Sequence, residues 1–148
     1  MKNEVAFFVP GLPAPGGSKR GFAIKGRVIL ADACKRTKPW QAVVSAYAQD
    51  AWGNRPILTG PVDVEMTFTL PRPKKHYFQG KARHGELRDE APIRHLSKPD
   101  ATKLFRAAED ALTKIIWRDD SQVGIDGAKK FYGEKIGAMV WVRWDDDK

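Results

Sequence analysis

Residues 61–70, PVDVEMTFTL, alternate strictly between apolar and polar side chains. Val62, Val64, Met66, Phe68 and Leu70 fall on one face of an extended chain, which predicts a strand with one side buried and the other solvated. A strand of that kind needs neighbours beside it and a layer over its apolar face. At 148 residues and 16.6 kDa the chain has room for one hydrophobic core and one domain, residues 1–148.

The remaining elements supply that layer. Residues 4–9 (EVAFFV) read as a first strand ended by Pro10, and residues 21–31 as a hairpin about Gly26, with Phe22, Ile24, Val28 and Leu30 as its apolar positions. Residues 38–52 predict a helix: Pro39 suits its first turn, Trp40, Val43, Val44, Tyr47, Ala48 and Ala51 recur at helical spacing, and Gly53–Asn54 stop it. Residues 101–116 predict a second, with Leu104, Ala107, Ala108, Ala111, Leu112 and Ile115 in one stripe and Asp100 at its N-cap. Residues 122–131 and 136–144 read as two further strands, paired antiparallel through a connection at Gly133. The expected fold is α+β: a small mixed sheet packed on two helices. Of the five tryptophans, most are expected in the core.

Several function classes drop out. No apolar run approaches the roughly 20 residues of a membrane span, and the N-terminal apolar stretch is too short and too proline-interrupted for a signal peptide. A single cysteine, Cys34, excludes an internal disulfide and a multi-cysteine zinc site. These features predict a cytoplasmic protein. The loop PGLPAPGGSKRG has glycines, serine and lysine, but Ser18 precedes Lys19, the reverse of a phosphate-binding loop, so no nucleotide cofactor is expected.

Charge points to a partner. Lys and Arg total 26 against 18 Asp and Glu, giving +8 and a pI near 9.7. Between Arg72 and Arg106 ten basic residues meet four acids, so +6 of that charge lies in 35 residues, interleaved with His76, Tyr77, Phe78, His84 and His95. Cations mixed with aromatics suit phosphate neutralisation and base stacking; a solvated surface segment has the same composition. Residues 71–97 are expected to form a long basic, mobile loop. An RNA-binding module is a poorer match, because the usual RNA-recognition motifs are missing.

Two acidic groups flank the second helix, Asp100 before it and Asp119–Asp120 after it. Taken alone, Asp100 fits a cap and Asp119–Asp120 a turn. Adjacent residues on an extended segment point to opposite sides, so Asp119 and Asp120 are not expected to share a site. A sixteen-residue helix spans about 24 Å, so its two ends meet only if the following chain doubles back along it.

The string SKPDATKLFRAAEDALTKIIWRDDSQV resembles the signature of the RusA-type Holliday-junction resolvases, a family common in phages and prophages. The matching residues are Lys98, Pro99 and Asp100; Lys103 and Leu104; Arg106; Asp110, Ala111 and Leu112; and Asp119, Asp120, Gln122 and Val123. The opening VPGLPAPGGSKRG and the cluster Lys130–Phe131–Tyr132 are similar to that family's two ends. The resemblance implies a crossover junction endodeoxyribonuclease that is a homodimer, uses Mg²⁺ or Mn²⁺, and acts on branched double-stranded DNA in recombination and repair. It implies metal binding by Asp100 and Asp120, with Asp119 as a further carboxylate or a support for its neighbour. Arg106 corresponds to the family's catalytic basic residue, and Lys103 joins it at the phosphate. DNA contacts are expected from Lys19, Arg20, Lys74, Lys75, Lys81, Arg83, Lys98 and Lys130.

One position departs. Thr102 stands where the family has a second aspartate, and a threonine offers only a neutral oxygen. Glu109, seven residues on and on the same side of the helix, is a candidate replacement. If nothing replaces that carboxylate, the alternative is a branched-DNA-binding protein that has kept the fold without cleavage.

Overall fold

The structure, a computed structural model, describes residues 2–17, 19–32 and 34–146. Its main sheet holds β1 (Lys2–Pro10), β6 (Gly137–Asp145), β4 (Val62–Leu70) and β5 (Val123–Tyr132), in that order across the sheet. β6 runs antiparallel to β1 and β4, and β4 runs parallel to β5. A separate hairpin pairs β2 (Lys19–Ile24) with β3 (Arg27–Asp32). The apolar positions expected at Phe22, Ile24, Val28 and Leu30 fall on this hairpin, and their side chains lie outside the described set.

The alternation in β4 is realised as expected. Val62, Val64, Met66, Phe68 and Leu70 are all buried. Val5, Phe7 and Val9 of β1 and Ala138, Val140 and Val142 of β6 continue that buried face. The opposite face is charged and open: Arg143 pairs with Glu4 at 2.6 Å, Glu65 at 3.1 Å and Asp126 at 3.5 Å. Covering the apolar face are α1 (Thr37–Trp52) and α2 (Ala101–Leu112), which pack on each other, α1 also on β1 and α2 also on β4 and β5. Trp40, Val44, Ala48 and Trp52 of α1 meet Leu104, Phe105, Ala108 and Leu112 of α2 in one core. Trp40, Trp52 and Trp117 are buried, and Trp141 and Trp144 partly so. Among the described residues no helix is long and apolar enough to cross a membrane.

Two sequence expectations need correction. The second helix stops at Leu112, four residues before its apolar pattern does. Lys114 takes a left-handed conformation (φ 73°), which an α-helix cannot continue through. The apolar residues beyond it, Ile116 and Trp117, are buried from a turn instead of a helix. The last two strands are not partners either. They run in opposite directions, but β4 lies between them, and β5 takes the parallel place beside β4. Parallel neighbours need a long crossover, and residues 71–122, α2 included, supply it.

Candidate nucleic-acid and metal site

The crossover sets the site. Asp100 stands at the N-cap of α2 in extended conformation (φ −68°, ψ 145°), and its carbonyl accepts the N–H groups of Lys103 and Leu104. Its carboxylate makes no capping hydrogen bond. At the other end, the Thr113 hydroxyl donates to the Glu109 carbonyl at 2.8 Å and accepts from Trp117 Nε1 at 3.0 Å. The chain then turns back along Leu58: Leu58 N–H donates to Ile116 O, and Arg118 N–H to Leu58 O.

Asp119 opens a single 3₁₀ turn, residues 120–122, with a reciprocal cap. Its carboxylate accepts the Ser121 N–H at 3.1 Å and the Ser121 hydroxyl, which holds its pKa below the ordinary value. Its own N–H donates to Gln122 Oε1 at 2.7 Å. The Gln122 amide anchors the turn on the carbonyls of Leu58 and Gly60. Asp119 is therefore committed to the turn. Asp120 projects back to α2, where carboxylate oxygens of Glu109, Asp110 and Asp120 lie within 4.8 Å of one another. Burial, then the neighbouring charges of Asp120 and Asp110, push the Glu109 carboxyl up, against the opposing pull of Arg106.

A groove of about 610 Å³ runs over this cluster, lined by Gly16, Gly17, Thr37, Lys38, Gln41, Arg106, Glu109, Asp110 and Asp120. A smaller hollow shares Gly16, Gly17 and Arg106 and reaches Thr102 and Lys103. The opposite wall is fixed by a polar stripe on α1. Thr37 Oγ1 donates to Pro15 O at 2.6 Å, Gln41 Nε2 to Ala107 O at 3.0 Å and Ser45 Oγ to Ala111 O at 3.0 Å. The glycine loop closes onto α2 through the Gly16 N–H, which donates to Lys103 O at 2.8 Å. A Cβ on Gly16 would sit 3.0 Å from the Ala107 Cα, so no larger residue approaches as closely.

The site residues expected from sequence thus divide. Asp120, Arg106 and the substitute Glu109 meet in the larger groove; Lys103 and Thr102 line its smaller extension. Asp100 stands outside the carboxylate cluster, nine residues and about 13 Å along the helix from Glu109. Sequence reasoning misses Asp110 and Lys38 as site residues. Asp110 reads from sequence as the i+4 partner of Arg106; its place beside Glu109 in the motif is the available signal.

In the basic segment, Lys74, Lys75 and Lys81 are exposed. Arg83 is engaged: it pairs with Glu86 at 2.7 Å and stacks over Phe78 at 4.1 Å. Lys98 is exposed, whereas Lys130 donates to the carbonyls of Ser97 and Pro99, tethering the approach to α2. His76 and His95 are buried and pack against Tyr132, His76 edge-on and His95 tilted, with centroids at 4.7 and 4.8 Å. Desolvation first, then nearby cations, lowers both imidazole pKa values. The Lys19 and Arg20 side chains lie outside the described set.

The family model described as Endodeoxyribonuclease RusA matches residues 10–143. The chain is also similar to a protein of Bacillus subtilis (strain 168) named Uncharacterized protein YqaN, with 31% identity over 141 residues, covering 94% of this chain and 95% of the relative.

Proposed function

Because the chain belongs to the RusA endodeoxyribonuclease family, we propose that it resolves Holliday junctions or other branched DNA by divalent-metal-dependent phosphodiester hydrolysis. The observation that carries this reading is the meeting of Glu109, Asp110 and Asp120 in a groove whose neighbouring side chains are Arg106 and Lys38. Three carboxylates offer hard oxygen ligands and a net negative charge, which suits Mg²⁺ or Mn²⁺. Burial first, and then the charges of Asp120 and Asp110, raise the Glu109 pKa, and a cation would offset those charges. Glu109, Asp110 and Asp120 would hold the ion; it supplies charge relief at the phosphate and lowers the pKa of an attacking water.

The chain's own cations do the rest. Arg106 and Lys103 on α2, with Lys38 across the groove, hold the phosphate next to the carboxylates. The exposed Lys74, Lys75, Lys81 and Lys98 neutralise phosphates further along the arms. A four-way junction is two-fold symmetric and its resolution needs paired nicks, so a homodimer presenting two grooves fits the substrate. Asp100, at the anion-favouring end of α2, borders the phosphate path.

Thr102 favours a second reading, in which the protein binds branched DNA without cutting it. One experiment separates the two: an end-labelled synthetic four-way junction incubated with the protein in Mg²⁺, in Mn²⁺ and in chelator. Paired nicks that need the metal support the endonuclease. Retention of the junction without nicks in either metal supports the binding protein.

A further inference from the structure

Ile93 and Leu96 are the most exposed large hydrophobic side chains among the described residues, at 70% and 82%. They do not sit on a loose end. Segment 93–98 is bound to β5: Tyr132 N–H donates to Ile93 O at 2.9 Å, and His95 N–H to Lys130 O at 3.2 Å. Arg94 bridges to Phe131 and stacks over its ring at 4.9 Å, the His95 ring is buried against Tyr132, and Lys130 grips the carbonyls of Ser97 and Pro99. A firmly anchored segment therefore holds two apolar side chains out in water.

The surroundings say what covers them. On the side leading to α2 the exposed charges are Arg94, Lys98, Asp100, Lys103 and Arg106, with Asp100 the lone acid among them; on the other side Asp89 and Glu90 are exposed and Glu90 lies beside Arg88. Four residues place Leu96 within about 14 Å of Asp100, at the start of the helix whose first two turns line the small hollow beside Arg106. Two side chains are far less than the ~800 Å² per partner of a stable protein interface. An apolar point that leads into a run of cations, Arg94, Lys98, Lys103 and Arg106, instead matches nucleic acid: the cations take the phosphates, and the apolar side chain enters a base step that has been opened.

We infer that Leu96, supported by Ile93, is a wedge that enters the unstacked base step at the branch point and so favours branched over linear DNA. The inference rests on the branched-DNA reading above and adds the residue that senses the branch. An unstacked step costs least to open at the junction centre, so the wedge discriminates there, while the cations bind linear duplex equally well.

The test uses a four-way junction carrying 2-aminopurine beside the branch and the full chain in an Asp120→Asn background, which blocks cutting during the measurement. Binding should raise the 2-aminopurine fluorescence. Leu96→Ala should remove most of that rise and lower the preference for junction over linear duplex about tenfold, leaving linear-duplex affinity and melting temperature unchanged. Leu96→Phe should preserve both signals. Leu96→Ala matching the Asp120→Asn parent in fluorescence and preference would overturn the wedge alone. A change of oligomeric state on gel filtration for Leu96→Ala also overturns it, by making the patch a subunit contact. If the chain without any substitution binds no junction, the functional reading fails and the wedge with it.

Discussion

The two ends of α2 ask for opposite partners. Around the N-terminal turn stand Lys98, Lys103 and Arg106 with Asp100 the sole carboxylate, and the helix dipole there is positive. In the last turn stand Glu109 and Asp110, joined by Asp120 from the following segment, where the dipole is negative and the turn itself carries no basic residue; Arg106, one turn earlier, is the cation that acts on Glu109. The helix is twelve residues, about 18 Å, long, and Arg106 near its middle lines the same groove as the acidic end. Carboxylates at a helix C-terminus oppose both the dipole and one another. On the function proposed above, one helix carries both the cations that hold the phosphate and two of the carboxylates that would hold the metal.

Breaking the acidic end should have the largest effect. Asp120→Asn removes one carboxylate without touching the reciprocal cap that Asp119 forms with Ser121 and Gln122. Junction cleavage should fall by several kcal/mol in barrier, about a thousandfold, while junction binding holds or tightens because less negative charge faces the phosphate. Single-turnover cleavage and a gel-shift titration measure the two. Wild-type cleavage by Asp120→Asn would remove the acidic end from the chemistry.

Breaking the basic side should act on binding instead. Lys74, Lys75 and Lys81 are exposed, whereas Arg83 is engaged with Glu86 and Phe78. Replacing the three lysines together by Ala should reduce the slope of log K against log salt by about 2.7, or about 0.9 for each phosphate left unneutralised. Adding Arg83→Ala should lower it little further. A slope that does not move takes the segment out of the DNA footprint.

A third measurement tests the strain on the Glu109 carboxylate, without DNA. Glu109 has its pKa raised in the folded chain above the ordinary carboxylate value of 4.5. The folded state therefore binds this proton more readily than the unfolded state. The stability from this group is present below pH 4.5 and lost as pH rises through the raised value. In chelator at about pH 8, Glu109→Gln should melt a few degrees above wild type, and the gap should narrow as the pH falls toward the ordinary carboxylate range. Added Mg²⁺ should narrow it too, by raising the wild type. Equal melting temperatures across the pH range would mean that neither burial nor the neighbouring carboxylates disfavour the Glu109 charge.

What was legible in the sequence follows from which interactions are local. The alternation of β4 and the amphipathic stripe of α2 are periodic, and both appear where the pattern put them. Asp119 turns to Ser121 while Asp120 turns to Glu109 and Asp110, but they do so about the start of a 3₁₀ turn and not along the extended segment the sequence suggested. The end of α2 was not legible, because Ile115, Ile116 and Trp117 keep an apolar pattern through the left-handed turn at Lys114. The insertion of β4 between β5 and β6 is a long-range choice that no local pattern records. The joining of Asp110 to Asp120 depends on both: the early helix stop and the anchoring of Gln122 on Leu58 and Gly60 bring the acidic turn back. Resemblance supplied the motif, and the turn supplied the third carboxylate.

The smallest effect, and the sharpest on the comparison, belongs to Thr102. It is exposed in the first turn of α2 and lines the small hollow with Lys103 and Arg106. Glu109 lies seven residues on, about 10 Å along the axis, too far for both to hold one ion. Thr102→Asp restores the family's carboxylate at the end where the dipole favours it by about 0.3–1 kcal/mol, so the variant should fold and melt slightly higher. If the cation belongs to the acidic end, the Mg²⁺ midpoint for junction cleavage should stay near wild type in Thr102→Asp and rise in Glu109→Gln. The added charge at the phosphate end should weaken junction binding modestly, most at low salt. A strongly lowered Mg²⁺ midpoint in Thr102→Asp would place the metal at the N-terminal end with Asp100. That result would reverse the roles of the two ends while leaving the groove between them intact.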